Sequence, residues 1–259
     1  MTDTPVPAAT VLLLRDKPAF EVLMIARHEK SAFAGGALVF PGGRVDPGDH
    51  DPAWGDHADG LSKEPRIAAA QIAAIREAYE ETGVLVARDA GGDIASGALA
   101  LGLSDWRAKV ESDDRLFLDL IRRAGLRLAG DQLHLFSHWI APPALHRRFD
   151  TLFFAARFPQ GQQVLEDGEE ATEALWISPR DAIAARASGA RKIIFPTVRN
   201  LDLLSVSSSA EDAFAFAARR PIRPVMPQLR MQDGKAMLTI PDDLGYPVTE
   251  EPVETAARY

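Results

Sequence analysis

Apolar and polar positions change period along the chain, and the change predicts an α/β fold. Runs of apolar, β-prone residues predict strands at residues 8–14, 20–26, 37–40, 84–87, 133–140, 149–158 and 171–177. Arg15-Asp16-Lys17-Pro18 separates the first two runs and is typical of a hairpin turn. The early strands should therefore pair as neighbours.

Other parts of the chain have the composition and the spacing of apolar residues that predict helices. The alanine-rich run from about Pro65 predicts a helix, because alanine has the best helix propensity and proline suits the first turn. Gly83 can adopt the left-handed cap that ends a helix. Further helical patterns cover residues 103–126 with a break near Asp113, 178–187, 195–201 and 209–218, and a hairpin signal follows at 232–235.

Three carboxylates share one face of the alanine-rich helix. Glu77, Glu80 and Glu81 lie at positions i, i+3 and i+4. Like charges at this spacing repel one another, so they need either solvation or a cation. Mg²⁺ and Mn²⁺ prefer oxygen ligands, and Arg76 is placed to pair with Glu80. A metal site and an ordinary solvated helix face are both open at this point.

A glycine-rich loop precedes this helix. Residues 39–49, Val-Phe-Pro-Gly-Gly-Arg-Val-Asp-Pro-Gly-Asp, predict a strand that enters a tight loop. Together with residues 76–84, Arg-Glu-Ala-Tyr-Glu-Glu-Thr-Gly-Val, the loop resembles the Nudix box. The family pattern is Gly-x5-Glu-x7-Arg-Glu-U-x-Glu-Glu-x-Gly-U, where U is bulky and apolar, and Gly43 aligns with its first residue. The second half matches apart from the small Ala78 at the first U.

The first half of the box departs from the family pattern. Asp49 replaces the family Glu, and 26 residues instead of seven separate it from Arg76. The excess lies at about 50–68 and begins with an acidic, turn-rich stretch. An exposed loop tolerates added length because closure entropy grows only logarithmically. We expect the insertion to form a lid or rim, and the role of Asp49 is left open.

The resemblance implies an α/β/α sandwich with a mixed sheet, inserted helices and a C-terminal extension. The Nudix domain would cover residues 8–188, with insertions at about 50–68 and 88–130. Residues 189–259 would form a helical and extended appendage packed on it.

The resemblance also implies an enzyme that hydrolyses a diphosphate linkage in a nucleoside diphosphate derivative. Mg²⁺ or Mn²⁺ would bind Glu77, Glu80 and Glu81. The implied catalytic residues are Glu80, Glu81, Arg76 and Glu170, and the implied substrate-binding residues are Arg27, Gly42 and Gly43.

An acidic stretch at residues 166–173 precedes Trp176. In Nudix proteins, an acidic loop often precedes a strand that ends in Trp, and a Glu six residues before the Trp resembles Glu170. Such a loop can supply a metal ligand or the general base. Glu169, Glu170 and Glu173 are candidates, and a solvated acidic turn is the alternative.

Residues outside the box point to a branch of the family. Nudix proteins that hydrolyse coenzyme A carry an Arg thirteen residues before the box Phe, and Arg27 lies thirteen residues before Phe40. A later Gly of that motif is matched by Gly36, whereas Ala32 replaces its second Arg. The enlarged box, residues 148–151 and a proline-rich tail resemble the branch of peroxisomal-type coenzyme A diphosphatases.

This branch implies coenzyme A or acyl-coenzyme A as substrate. An ADP-ribose or NADH pyrophosphatase is one alternative. A binding or regulatory protein that has lost hydrolysis is another, because of the changed residue 49 and the long insertion.

Composition limits the partners. A formal net charge of −8 argues against nucleic acid, and the absence of cysteine excludes disulfides and thiolate chemistry. No apolar run has transmembrane length, residues 1–10 lack signal-peptide features, and the chain does not end in Ser-Lys-Leu. We therefore expect a cytoplasmic protein with a small-molecule partner and no membrane contact, and leave a homodimer open.

Overall fold

A mixed sheet with a hydrophobic core on each face organises this computed structural model. The structure describes residues 4–29, 34–143, 145, 148–166 and 171–256. Its strands are β1 (Val6–Arg15), β2 (Glu21–Arg27), β3 (Leu38–Val39), β4 (Gly42–Arg44), β5 (Ala58–Asp59), β6 (Ala87–Arg88), β7 (Arg127–Ala129), β8 (His134–Ile140), β9 (Phe149–Arg157), β10 (Ala171–Ile177), β11 (Pro224–Val225), β12 (Gln228–Gln232), β13 (Lys235–Thr239) and β14 (Glu250–Pro252).

The helices flank this sheet. They are α1 (Trp54–His57), α2 (Pro65–Thr82), α3 (Gly97–Gly102), α4 (Arg107–Ser112), α5 (Leu116–Arg123), α6 (Pro179–Ala187), α7 (Phe195–Leu204), α8 (Ala210–Arg219) and α9 (Val253–Ala256). None of the helices in the described ranges combines the length and the apolar character that a membrane span requires.

The main sheet has the strand order β10-β2-β1-β9-β8-β11, with β3 paired to β2 and β4 paired to β1. The β1–β9 and β8–β11 pairs are parallel, and the other pairs are antiparallel. Two smaller sheets have the orders β12-β13-β14 and β5-β7-β6.

Strand β1 shows how the sheet separates the two cores. Val11 and Leu13 pack into the core that contains residues of α2 and α5, whereas Leu12 and Leu14 pack into the core formed with α7 and α8. Alternate residues of a strand point to opposite faces, so an apolar strand with helices on both sides is buried throughout. The expected α/β/α sandwich with a mixed sheet is confirmed.

The predicted strand at residues 84–87 is wrong, because β6 covers Ala87–Arg88. The backbone of Leu85 bonds to a side chain instead of a neighbouring strand. Its N–H donates to Gln162 Oε1 at 2.9 Å, and its carbonyl accepts from Gln162 Nε2 at 2.9 Å. The predicted strand at 37–40 is likewise shorter in the structure, where β3 contains two residues.

The alanine-rich helix is confirmed as α2, and Gly83 caps it with a φ of 72°. The predicted break near Asp113 is also confirmed, because Asp113 is the C-cap that separates α4 from α5. Helix α3 was not expected from the sequence, since its Gly-Ala-Leu-Ala-Leu-Gly segment has glycine at both ends. Its N-cap, Ser96, accepts a hydrogen bond from Leu99 N–H.

The box insertion at residues 50–68 contains the short helix α1 and strand β5, and it has both exposed and buried residues. Trp54 is 2% exposed and donates from Nε1 to the Gly48 carbonyl at 2.9 Å. Its ring lies 5.7 Å from the ring of Phe117 on α5. Ala58 pairs with Leu128 of β7. The insertion therefore packs against the second inserted segment, and its role as a lid or rim stays a prediction.

We expect Trp54→Ala to lower the free energy of unfolding by about 3–5 kcal/mol, because it leaves a large cavity under the insertion. Trp54→Phe keeps most of the buried ring and loses the Nε1 hydrogen bond, so it should cost less. Urea denaturation of both variants checks this expectation. Equal stability of Trp54→Ala and the unmodified protein would contradict the packing described here.

The C-terminal residues share a core with the sheet. Phe195, Leu203 and Tyr246 pack in one cluster with Leu12 and Phe136. The two segments therefore have this core in common. The division into a domain at 8–188 and an appendage at 189–259 stays a prediction.

Candidate active site

Arg76 lies at the centre of a buried carboxylate cluster. Its side chain is 3% exposed. Nε and Nη2 donate to Asp49 Oδ1 and Oδ2, both at 3.0 Å, and Nη1 donates to Glu77 Oε1 and Glu80 Oε1, both at 3.0 Å. Nη2 also donates to the Arg44 carbonyl at 2.9 Å. One guanidinium thus fixes the glycine-rich loop, the carboxylate helix and Asp49 together.

The turn that follows the glycine-rich loop positions Asp49. Residues 47–50 form a 3₁₀ turn, and Asp49 Oδ2 accepts a hydrogen bond from Asp46 N–H at 2.8 Å. Both carboxylate oxygens of Asp49 are therefore engaged, and its side chain is 1% exposed. The geometry makes Asp49 the partner of Arg76, although the long insertion separates the two residues in the sequence.

Gly42 and Gly43 bring the loop backbone against the helix carboxylates. Gly42 N–H donates to Glu81 Oε2 at 2.9 Å. A Cβ at Gly43 would overlap the carboxylate of Glu77. A residue with a side chain would therefore displace Glu77, so the close approach requires glycine at this position.

Arg27 lies beside the third helix carboxylate. It is the last residue of β2, and its Nη1 is 3.8 Å from Glu81 Oε1. The side chain of Glu81 is 4% exposed and that of Arg27 is 21% exposed. The structure thus brings a distant cation to the carboxylate helix. Ala32, at the position of the second family Arg, lies outside the described residues.

Burial and mutual repulsion disfavour the ionised forms of the carboxyl groups in the cluster. Burial is the largest cause that raises the pKa of Glu77 and Glu80; Arg76 opposes it, and neighbouring carboxylates add to it. Burial also raises the pKa of Asp49 against the effect of Arg76. Asp46 lies 3.5 Å from Arg76 Nη2, which adds a further carboxylate. The cluster therefore contains four carboxyl groups around one guanidinium.

A hard divalent cation fits this set of carboxyl oxygen atoms, and its charge would favour the ionised forms that burial disfavours. Within the described ranges, no three Asp, Glu or His side chains already form a metal cage. Glu80 points to Arg76, and Glu81 points to the Gly42 N–H. Each of these contacts uses one carboxylate oxygen, so the second oxygen can bind a cation while Arg76 and Gly42 hold the side chain in place.

The acidic loop candidates are placed differently. Glu173 forms a two-bond ion pair with Arg191, at 2.7 and 2.8 Å, and the bond to Arg191 lowers its pKa. It does not join the cluster around Arg76. Glu169 and Glu170 lie outside the described residues, so their roles stay predictions.

Sequence reasoning missed the groups that hold the C-terminal end of α2. Arg107 donates from Nε and Nη2 to the Glu80 carbonyl at 3.0 and 2.7 Å. Leu165 N–H donates to the Thr82 carbonyl at 2.9 Å. Helix ends leave carbonyl groups without intrahelical partners, and a cation at this end also opposes the helix dipole. No spacing rule connects Arg107 to the box, because it belongs to an inserted helix.

The profile of the NUDT19 Nudix domain matches residues 56–204, which is more than half of the chain. The chain belongs to this Nudix family. It is therefore a Nudix hydrolase, an enzyme of a class that generally needs a divalent metal ion. Arg76, Glu77 and Glu80 of the carboxylate cluster belong to the second half of the Nudix box, and this half lies within the matched residues.

Individual relatives agree with this membership. The chain is 28% identical over 314 residues to the acyl-coenzyme A diphosphatase NUDT19 of Gallus gallus, covering 97% of this chain and 82% of the relative. It is 29% identical over 251 residues to the human protein of that name, covering 80% and 67%. A crystal structure of a Nudix hydrolase from Alicyclobacillus acidocaldarius has a TM-score of 0.68 and 28% identity, covering 83% of this chain and 97% of that one.

Proposed function

We propose that this Nudix hydrolase cleaves the diphosphate of coenzyme A or an acyl-coenzyme A. The products would be 3′,5′-ADP and 4′-phosphopantetheine or its acylated form. The observation that carries the proposal is the position of Arg27, 3.8 Å from the box carboxylate of Glu81. The names of the vertebrate relatives support the same substrate class.

We assign Mg²⁺ or Mn²⁺ to Glu77, Glu80 and Glu81. A divalent cation there would neutralise the diphosphate and lower the pKa of an attacking water. Glu80 and Glu81 are the carboxylates that we place closest to the chemistry. Glu170 stays the candidate for the general base that the family resemblance implies.

Arg76 and Asp49 orient these carboxylates without touching the substrate. Arg76 donates to one oxygen of Glu77 and one of Glu80, and its two bonds to Asp49 hold Arg76 itself in place. Such supporting contacts fix the geometry of the ligands around a metal. Gly43 completes the arrangement, because its missing side chain leaves room for Glu77.

Arg27 supplies positive charge for a phosphate group of the substrate. Its guanidinium lies at the edge of the cluster with 21% of its side chain exposed, so an anion from solvent can reach it. A guanidinium binds phosphate oxygens through strong charge-assisted hydrogen bonds. Gly42, whose N–H donates to Glu81 Oε2, is another candidate for substrate binding.

A substrate panel tests the proposal. Coenzyme A, acyl-coenzyme A, ADP-ribose, NADH and diadenosine polyphosphates would be assayed with Mg²⁺ and with Mn²⁺. We expect preference for coenzyme A or its acyl derivatives. Arg27→Ala should lower kcat/KM for them by roughly 10- to 150-fold, because a hydrogen bond to a charged group contributes about 1.5–3 kcal/mol.

Arg180→Ala is the matched control, since Arg180 is exposed on α6. It should leave kcat/KM within about twofold of the unmodified enzyme, because surface substitutions away from a site have small effects. Preference for ADP-ribose or NADH, unchanged by Arg27→Ala, would favour the alternative pyrophosphatase. Absence of turnover with every substrate would favour a binding protein. The cytoplasmic location and the homodimer stay predictions.

A further inference from the structure

The last turn of α2 carries two of the three carboxylates that we assign to the metal. Glu80 and Glu81 lie within residues 79–82, directly before the Gly83 cap. The last four carbonyl groups of a helix have no intrahelical donors, so a final turn frays unless other groups bind it. The positions of both carboxylates therefore depend on the contacts that hold this turn.

The inserted helices and this turn bind each other through side chains from both. Arg107, the first residue of α4, donates from Nε and Nη2 to the Glu80 carbonyl at 3.0 and 2.7 Å. The Tyr79 hydroxyl donates to the carbonyl of Leu103, four residues before α4, at 2.5 Å. Tyr79 is fully buried, and its ring lies 5.9 Å from the ring of Phe117 on α5. The turn is thus fixed to the inserted segment at residues 79 and 80.

The same inserted segment also reaches the turn that carries Asp49. Gly48 N–H donates to Oδ2 of Asp114, which lies two residues after α4. A Cβ at Gly48 would overlap this carboxylate, so the approach is close. Gly48 directly precedes Asp49, the partner of Arg76. Contacts at the two ends of α4 therefore connect the last turn of α2 with the loop side of the carboxylate cluster.

Arg107 differs from the other groups that hold the turn, because it binds the main chain of an assigned metal ligand. Its two donors converge on one carbonyl oxygen, which fixes the direction of that carbonyl. Its positive charge also opposes the negative end of the helix dipole. A shift of about 1 Å in catalytic geometry can cost roughly 10²-fold in rate. Loss of this contact would therefore affect the carboxylates more than the fold.

We propose that Arg107 is a positioning residue for the divalent cation, an inference that rests on the metal assignment in the proposed function. Arg107 holds the backbone from which the Glu80 and Glu81 side chains extend, and in this role it touches neither the cation nor the substrate. The inserted helix α4 thereby gains a function in addition to its packing, in which Val110 joins the core beneath α2.

Calorimetry with Mn²⁺ and the substrate-free protein tests this role without any measurement of turnover. Arg107→Ala should weaken Mn²⁺ binding by roughly 10- to 100-fold, the usual cost of changing a group that supports a metal ligand. Arg107→Lys keeps the charge but loses the fork of donors, so its Mn²⁺ affinity should lie between those of Arg107→Ala and the unmodified protein. Thermal melts would establish a temperature at which every variant is folded.

Arg186→Ala is the matched control for a purely structural arginine. Arg186 also donates from Nε to a main-chain carbonyl, that of Ile193 at 2.9 Å, and from Nη2 to Glu251 at 2.7 Å. It lies on α6, which packs in the core on the opposite face of the sheet. Arg186→Ala should lower the melting temperature and leave the Mn²⁺ affinity within about twofold, because it is remote from the cluster.

A selective loss of Mn²⁺ affinity in Arg107→Ala would support the positioning role. Unchanged affinity in Arg107→Ala, or an equal loss in Arg186→Ala, would overturn it. If Arg107→Ala did not fold, Arg107→Lys would decide the question by the same comparison. Intact coenzyme A with an enzyme that showed the selective loss would refute only the proposed substrate. Unchanged Mn²⁺ affinity in Glu81→Gln would refute the metal assignment and this inference with it.

Discussion

Glu81→Gln is expected to lower kcat by roughly 10²- to 10³-fold, the usual cost of removing one electrostatic contact at a reacting centre. The substitution removes a charge that we assign to the metal site. The new amide oxygen can still accept the hydrogen bond that Gly42 N–H now donates to Glu81 at 2.9 Å. The fold should therefore survive while turnover falls. Steady-state kinetics with saturating Mn²⁺ would measure the effect, and calorimetry would measure Mn²⁺ binding.

Glu64→Gln serves as the matched control, because Glu64 is exposed just before the same helix and its side chain makes no capping bond there. It should retain the parent kcat and Mn²⁺ affinity. Glu80→Gln is expected to behave like Glu81→Gln. If both box variants kept the parent rate on a substrate that the parent cleaves, the metal assignment would be wrong.

Arg76→Leu is expected to lower the free energy of unfolding by about 3–5 kcal/mol, the range for breaking a buried ion pair by removing one partner. It would leave Asp49, Glu77 and Glu80 facing one another without their shared guanidinium. Urea denaturation at constant pH would measure the loss. A divalent cation that binds the folded state should restore part of the stability by mass action.

Arg44→Leu is the control for this variant. The Arg44 side chain is 65% exposed and its ion pair with Asp46 is long, at 3.9 Å, while the Arg44 carbonyl that accepts from Arg76 is kept in the variant. The control should lose little stability. Similar losses in the two variants would show that the cluster does not depend on the charge of Arg76.

The carboxylate helix and the main strands were predictable because the signals were local. Alanine propensity, Pro65 and Gly83 define α2, and the apolar runs define the main strands. The pairing of Arg76 with Glu80 followed from their spacing of four residues. Such patterns depend on helix and strand periods, which hold irrespective of the rest of the fold.

The remaining contacts connect segments that are far apart in the sequence. Gln162 bonds the backbone of Leu85, which removes the strand that the apolar run predicted. Arg107 reaches Glu80 from an inserted helix. Asp49 is a different case, because Asp46 and Asp49 form a capping pair at a spacing of three residues. That spacing was readable, and it would have placed Asp49 on a fixed turn.

The central claim is that the carboxylate cluster cleaves the diphosphate of coenzyme A with the help of a divalent cation. Chromatography of coenzyme A incubated with the enzyme and Mn²⁺ tests it most directly. The account predicts equal amounts of 3′,5′-ADP and 4′-phosphopantetheine, and almost none of either with Glu81→Gln or with a chelator. The account would be contradicted if coenzyme A stayed intact with enzyme that cleaves another diphosphate. Cleavage of coenzyme A by Glu81→Gln at the rate of the unmodified enzyme would also contradict it.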